Sequence, residues 1–287
     1  MSEKELKRGT GLLVIEVRNS NPNGDPDRES DPRQRQDGRG EISPVSFKRK
    51  LRDLVEEKEG PVWLNISAEL KLDKDRFCIL EHRDRDRKVI EKELQEENGQ
   101  KFIDKYWDGR LFGNTFLEEG KSTFIKTGVV QFGLGLSISP VEIERMTNTS
   151  KAGVEEGKDR GMAPLAYRII KHGVYCMPFF INPTAAQKTK CTVQDIDVML
   201  KLIPHAYSHT ASYIRPYVGI HHAWFMEHKS ALGSCSDFSL IDALTPKRTD
   251  VQDREKPSTS WEDYDVPTKL PEELKKKLES YRDLINE

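Results

Sequence analysis

The chain has 287 residues, 36% hydrophobic and 33% charged, with 46 basic against 48 acidic side chains and a formal net charge of −2. That length holds one large domain or a domain with a substantial insertion, and the near-neutral balance excludes a globally basic nucleic-acid coat, so any affinity for nucleic acid must come from local clusters. Cys78, Cys176, Cys191 and Cys235 are isolated, the charged start is no targeting segment, and no apolar run is long enough to span a bilayer, so the expectation is a reduced, cytoplasmic chain with no disulfide framework and no membrane partner.

Residues 1–10 are a short charged lead-in. Residues 12–17 form an apolar run of strand length, interrupted only by Glu16, with β-branched Val14, Ile15 and Val17. Residues 19–40 are dense in Asn, Pro, Gly and Asp and read as a loop. A helix is predicted from Ser43 to about Glu57, with Ser43 as N-cap and Pro44 at the first helical position. Phe47, Leu51, Leu54 and Val55 share its apolar face. Lys48 and Arg52 stack four apart beside that face, and Arg49 widens them into a cationic stripe. The loop Asn21-Pro22-Asn23-Gly24-Asp25-Pro26 leaves the end of a buried strand, where binding groups are usually placed.

Gly60-Pro61 breaks the chain, and residues 60–127 read as an insertion subdomain. Within it, residues 62–72 alternate partially, as a strand does. Residues 81–88 alternate in charge and read as a solvated face. Residues 128–138 read as a strand. Their Gly133-Leu134-Gly135 lacks the third Gly, the following helix and the acidic ribose partner of a dinucleotide fingerprint, so it marks a bulge or a close backbone approach. Residues 144–163 are polar and Gly-rich between two apolar runs, and read as a mobile hairpin projecting from the body. Thr192 opens a helix with Asp195 as its capping box, and Val193, Ile196, Met199, Leu200 and Ile203 form its buried face up to Pro204. Residues 213–226 read as a core strand, 245–265 as a loose stretch, and 271–284 as a terminal helix striped by Leu274, Leu278, Tyr281 and Ile285. The order of elements fits an α+β fold.

His205, His209, His221, His222 and His228 cluster in sequence. Pro204 interrupts the helix that would put His205 and His209 on one face, and adjacent His221 and His222 would point to opposite faces of a strand. They read as structural rather than metal-binding. Asp25, Asp27 and Asp31 could hold Mg²⁺, but prolines stiffen the stretch, which reads as a loop capping its own backbone. For RNA the pattern is diffuse but consistent. Ser43, Lys48, Arg49 and Arg52 offer phosphate contacts beside Asn21 and Asn23, while Arg145, Arg168 and Lys171 flank the hairpin and can clamp from its base.

The string NSNPNGDPD after the first strand, followed by the basic helix SFKRKLRDLV, resembles the backbone subunit of type I CRISPR interference complexes (Cascade), in the branch typical of subtypes B and C. Further pieces fall in the same order: Asp108-Gly109-Arg110-Leu111-Phe112-Gly113, Val130-Gln131-Phe132-Gly133, Arg145-Met146-Thr147 and His172-Gly173-Val174-Tyr175. The similarity spans roughly residues 11–245, and the first string is its specific part. The resemblance implies a ferredoxin-like (RRM-like) palm from residues 11–59 and 128–245, a finger insertion at 60–127, a hairpin thumb at 144–163, and a C-terminal loop and helix at 246–287. It implies a non-catalytic subunit that polymerises head to tail along CRISPR RNA, meets target DNA through the guide, and contacts other Cascade subunits, with no cofactor. It also implies that Met162 is an apolar wedge between bases. Related sequences often carry basic residues after that Met, and here Ala163-Pro164-Leu165 follow, which shifts weight to Arg168 and Lys171. Two alternatives stay open: a metal-dependent RNA endonuclease using Asp25, Asp27 or Asp31, and a protein-interaction module using residues 60–127.

Overall fold

The computed structural model describes residues 5–82, 88–89, 92–93, 100–113, 127–151 and 162–286. In chain order, β1 (Gly9–Ser20) leads into a loop with the short hairpin β2 (Gly24–Asp25) and β3 (Asp31–Pro32), then β4 (Arg39–Ile42) and helix α1 (Pro44–Glu56). Helices α2 (Pro61–Glu69), α3 (Gln100–Lys105) and α4 (Trp107–Phe112) precede β5 (Val130–Phe132), β6 (Gly135–Pro140), β7 (Ile143–Lys151) and β8 (Met162–Ile181). Then come α5 (Val193–Leu202), β9 (Val218–His228), α6 (Asp237–Leu244), the pair β10 (Lys247–Arg248) and β11 (Tyr264–Asp265), and finally β12 (Leu278–Asp283). The fold is a mixed helix-and-sheet one built on a large antiparallel sheet of order β12-β9-β1-β8-β6-β4, with β5 and β7 also paired to β8.

The apolar run of β1, interrupted only by Glu16, does not alternate with polar residues because both faces of the strand are covered. Leu13, Ile15 and Val17 join Phe47, Leu51, Trp63, Trp107 and Met199 in one core layer. Leu12 and Val14 join Val174, Trp224, Leu240, Leu244 and Tyr264 in the other. Strand β8 is the spine. One edge pairs with β1 between Ile170 and Ile181. The other edge takes β5, β6 and β7 in line, with β7 opposite Met162–Ile170. Residues 162–169 thus run past the end of β1 with β7 alongside, a two-stranded ribbon of roughly 25 Å. The polar stretch expected as a projecting hairpin is this ribbon; its tip, 152–161, lies outside the described residues, as does most of the charged run at 81–88.

Several expectations are corrected. Residues 62–72 do not form a strand. Gly60 caps helix α2 with Pro61 at its first position, and Val62, Trp63 and Ile66 bury one helical face. The loop at 19–40 is not wholly irregular, because Arg39–Ile42 pairs with β6, burying Ile42. Residues 128–138 split into β5 and β6 at Gly133, where a Cβ would lie 2.9 Å from Pro178 Cγ. The stretch at 245–265 is fastened by the β10–β11 pairing and by Arg248 on Asp263 at 3.1 Å. The terminal helix is a single turn, Glu272–Lys275, after which Leu278–Asp283 pairs with the open edge of β9. There tertiary hydrogen bonding overrides a helical stripe.

Candidate nucleic-acid interface

The end of β1, the loop after it and the start of α1 form one hydrogen-bonded unit. Asn19 turns the chain with φ 42°, a conformation Asn tolerates. Asn21 is buried; its Nδ2 donates to Ser30 O at 2.9 Å and its backbone N–H to Ile214 O at 2.8 Å. Asn23 Oδ1 accepts from the Ser43 N–H at 2.7 Å, and Ser43 Oγ caps α1 by accepting from the Ser46 N–H at 3.2 Å. Asn21, Asn23 and Ser43 therefore shape the loop and hold it against the helix N-terminus.

The ribbon stands over this loop. Arg145 on β7 faces Arg168 on β8 across the ladder, and both grip Asp31. Arg145 Nε lies 3.0 Å from Asp31 Oδ2, and Arg168 Nη1 lies 3.1 Å from Asp31 Oδ1. Arg168 also reaches Glu29. The Arg145 hydrogen bond holds the Asp31 carboxyl below the usual carboxylate range against the opposing effect of burial, with Arg168 adding to it. The Arg145 side chain nevertheless keeps 60% of its surface exposed. Lys171 pairs with Glu142 at 2.6 Å at the ribbon's base. Met162 opens β8 opposite Lys151.

The expected cationic stripe on α1 divides. Arg52 is not solvated. It is 4% exposed, with Nε 2.8 Å from buried Asp108 and Nη2 3.0 Å from Glu81, so in this conformation it faces carboxylates instead of a phosphate. Arg49 is held by Asp53 at 2.6 Å, by Glu56 and by the Glu81 carbonyl. Lys48 pairs with no described acid. Its ammonium lies 5.1 Å from the Phe112 ring centre, and burial, then the nearby Arg52 charge, lowers its pKa. Lys50 points the other way, into the fold, donating to Thr210 Oγ1 at 2.9 Å over the Tyr207 ring. Burial, then the Arg215 charge, pushes its pKa down to about 8.

One segment beside the loop escaped the sequence reading. The segment before β9, taken as the start of a core strand, lies against the end of β1 instead. Arg215 Nε donates to Asn21 O at 2.9 Å, and its terminal nitrogens pair with no described acid. Tyr213 and Tyr217 flank it and are exposed. A Tyr-x-Arg-Pro-Tyr string next to a turn was the available signal.

Four of the histidines are hydrogen-bonded to protein side chains. His221 and His172 meet Glu16 at 2.7 and 3.0 Å, His222 meets Asp283 at 2.7 Å, and His228 meets Thr10 at 3.0 Å. His205 and His209 lie edge to face, 5.5 Å apart. Asp25 caps the turn that follows it, accepting from the Asp27 N–H at 3.3 Å. Among the described residues no helix is long and apolar enough to cross a membrane.

The chain is similar to one described as "CRISPR RNA-guided surveillance complex, pre-nicking", at 13% identity and a TM-score of 0.49, over 76% of this chain and 77% of that one. A second chain, described as "CRISPR RNA-guided surveillance complex", aligns at 16% identity and a TM-score of 0.44 over 76% and 68%. No curated protein matches the sequence. The profile of one family, described as CRISPR-associated protein Cas7, matches residues 7–269 and so takes in β1, the loop, α1 and the ribbon. With that much of its length matched, the chain belongs to the Cas7 family.

Proposed function

We propose that this protein is a non-catalytic subunit that binds CRISPR RNA along its backbone and assembles head to tail with further copies. In this reading the sheet is a ferredoxin-like palm (11–59 and 128–245), residues 60–127 are the finger, the ribbon at 144–163 is the thumb, and 246–287 complete the back. The guide carried this way pairs with target DNA, other Cascade subunits close the assembly, and the setting is the cytoplasm. Head-to-tail contacts that do not close give a filament whose length the RNA sets.

The observation that carries the reading is the cationic rim. Arg145 and Arg168 at the ribbon's base grip Asp31 of the loop that Asn21 and Asn23 shape, with Lys171 farther along β8 and Lys48 on the helix that the loop abuts, on a chain of near-zero net charge. Guide phosphates would meet Arg145, Arg168, Lys171, Lys48 and Arg49, with Met162 as the wedge between bases. Asn21, Asn23 and Ser43 present the loop. Arg52 acts at one remove, by fixing Asp108 and the Phe112 face under Lys48. The endonuclease alternative is the weaker one, because two arginines already satisfy Asp31 and Asp25 is engaged as a cap.

The test is RNA binding by the full chain. A high ratio of absorbance at 260 to 280 nm on purification, and similar affinity for unrelated single-stranded RNAs, are expected. The slope of log affinity against log salt should become shallower by about 0.7 for each phosphate contact removed. Tight binding to one sequence alone, or none, defeats the proposal. Metal-dependent cutting of a complementary RNA, abolished by Asp25→Ala or Asp27→Ala, would establish the alternative.

A further inference from the structure

We infer that Tyr213 and Tyr217, with Arg215 between them, form a stacking platform for unpaired bases of single-stranded RNA. The inference rests on the RNA-binding reading and extends it to residues outside the cationic rim.

Tyr213 and Tyr217 keep 58% and 57% of their surface exposed. Large aromatics so exposed are commonly found on loose loops, but this segment is fastened. Arg215 N–H donates to Ser212 O at 2.8 Å and closes a turn. Asn21 N–H donates to Ile214 O at 2.8 Å, Arg18 N–H to Tyr217 O at 3.0 Å, and Tyr217 N–H to Ser20 Oγ at 3.0 Å. The rings are set as well. Tyr213 meets Tyr167 of the ribbon edge to face, with centroids 5.6 Å apart. The Arg18 guanidinium sits 5.2 Å over the Tyr217 ring, and its Nη1 donates to Tyr217 Oη at 3.1 Å. Arg18 is in turn forked onto Glu16 at 2.6 and 3.0 Å, and His172 and His221 hold Glu16 from β8 and β9.

This is aromatic surface whose ordering cost is met before a ligand arrives. The chemistry of the segment selects the ligand. A base offers a π-face to each ring whatever its identity, and the phosphate next to it offers an acceptor to the terminal nitrogens of Arg215. The Tyr217 hydroxyl is engaged with Arg18, whose guanidinium covers one face of the ring, so the opposite face and not the polar edge is on offer. Such a platform stacks without reading sequence, as a carrier of varied guides requires. An apolar protein partner would gain nothing from Arg215.

The experiment uses the full chain and an oligouridylate carrying scattered 5-iodouridines, which photocrosslink to aromatic rings they stack on. Mass spectrometry should place crosslinks on Tyr213 or Tyr217. Tyr213→Leu and Tyr217→Leu should each weaken oligouridylate binding about tenfold with an unchanged salt slope, and Tyr213→Phe should bind as the native protein does. Tight binding with crosslinks only elsewhere overturns the platform and leaves the RNA-binding reading standing. So do Leu variants, folded by circular dichroism, that bind like the native chain. Failure of the native chain to bind oligouridylate overturns both. Should a Leu variant not fold, the crosslink map on the native chain decides.

Discussion

Two kinds of arginine clasp hold this molecule together, and they differ in where the arginine ends up. Arg110 and Asp195, 85 positions apart, are both sealed in the core, where the guanidinium spans Asp195 at 2.7 and 3.1 Å and also donates to the Ile103 and Arg76 carbonyls. Arg52 on Asp108 is as deeply placed. Arg145 and Arg168 grip Asp31 with the same chemistry, but at the rim, where solvent reaches Arg145. A buried clasp cannot open without stranding a charge in low dielectric. A rim clasp can trade its carboxylate for another anion, because water screens the intermediate. The inner pairs therefore belong to folding, and the outer pair is available for binding.

The largest effect should come from breaking the inner clasp on one side. Asp195→Ala leaves Arg110 buried and unpaired, and should cost about 3–5 kcal/mol in urea unfolding. The double change Arg110→Met with Asp195→Leu should recover much of that loss, since both charges leave together. A single variant as stable as the native chain would erase the distinction between the clasps.

Arg52→Ala should cost less, about 2–3 kcal/mol, because Asp108 keeps the Leu80 and Glu81 N–H donors at 2.7 and 3.1 Å. Lys48→Ala, one turn earlier, should leave stability nearly unchanged and make the RNA salt slope shallower. Equal losses of stability for the two would contradict the division of the α1 stripe.

Lys50 is a third case, a buried cation hydrogen-bonded to a hydroxyl. Its pKa is pushed down to about 8, so the folded state disfavours its charged form. That cost is full below pH 8 and disappears as pH rises from about 8 toward the ordinary lysine value near 10.5. Lys50→Met should stabilise the protein by on the order of 2 kcal/mol at pH 7, and the gain should shrink with rising pH in denaturant titrations. A gain that does not change with pH would assign the effect to packing.

The same contrast explains what could be read from the sequence. Features set by neighbours in the chain were legible: the β1 run, the Ser43 cap with Pro44, the buried face of Phe47, Leu51, Leu54 and Val55, and the Thr192–Asp195 capping box. Features set by distant partners were not. Nothing near Arg52 signals Asp108, and Asp108 and Arg110, quoted for a family resemblance, prove to be core-building residues. The strand reading of residues 62–72 failed because a short apolar stretch fits either period until the Gly60-Pro61 start is given its weight. The terminal stripe failed because the edge of β9 needed a partner. Tyr213, Arg215 and Tyr217 were missed because their meaning depends on the end of β1, about 200 residues earlier.

A small change in stability, and the most direct test of the rim, comes from Asp31→Asn. Its carboxyl is held below the ordinary carboxylate range, so its contribution is complete at pH 7 and is lost only as pH falls below that range. With an arginine partner open to solvent, that contribution should be about 1 kcal/mol or less. Asn keeps the shape and one acceptor but removes the charge that, in the proposed reading, would compete with a phosphate for Arg145 and Arg168. RNA affinity at pH 7 should therefore rise a few-fold while the melting temperature changes little. Arg145→Ala with Arg168→Ala should lower affinity and flatten the salt slope by about 1.4, twice the value for one single-strand contact. If Asp31→Asn instead lowers affinity, Asp31 serves to orient the two arginines, and the rim clasp resembles the inner ones after all.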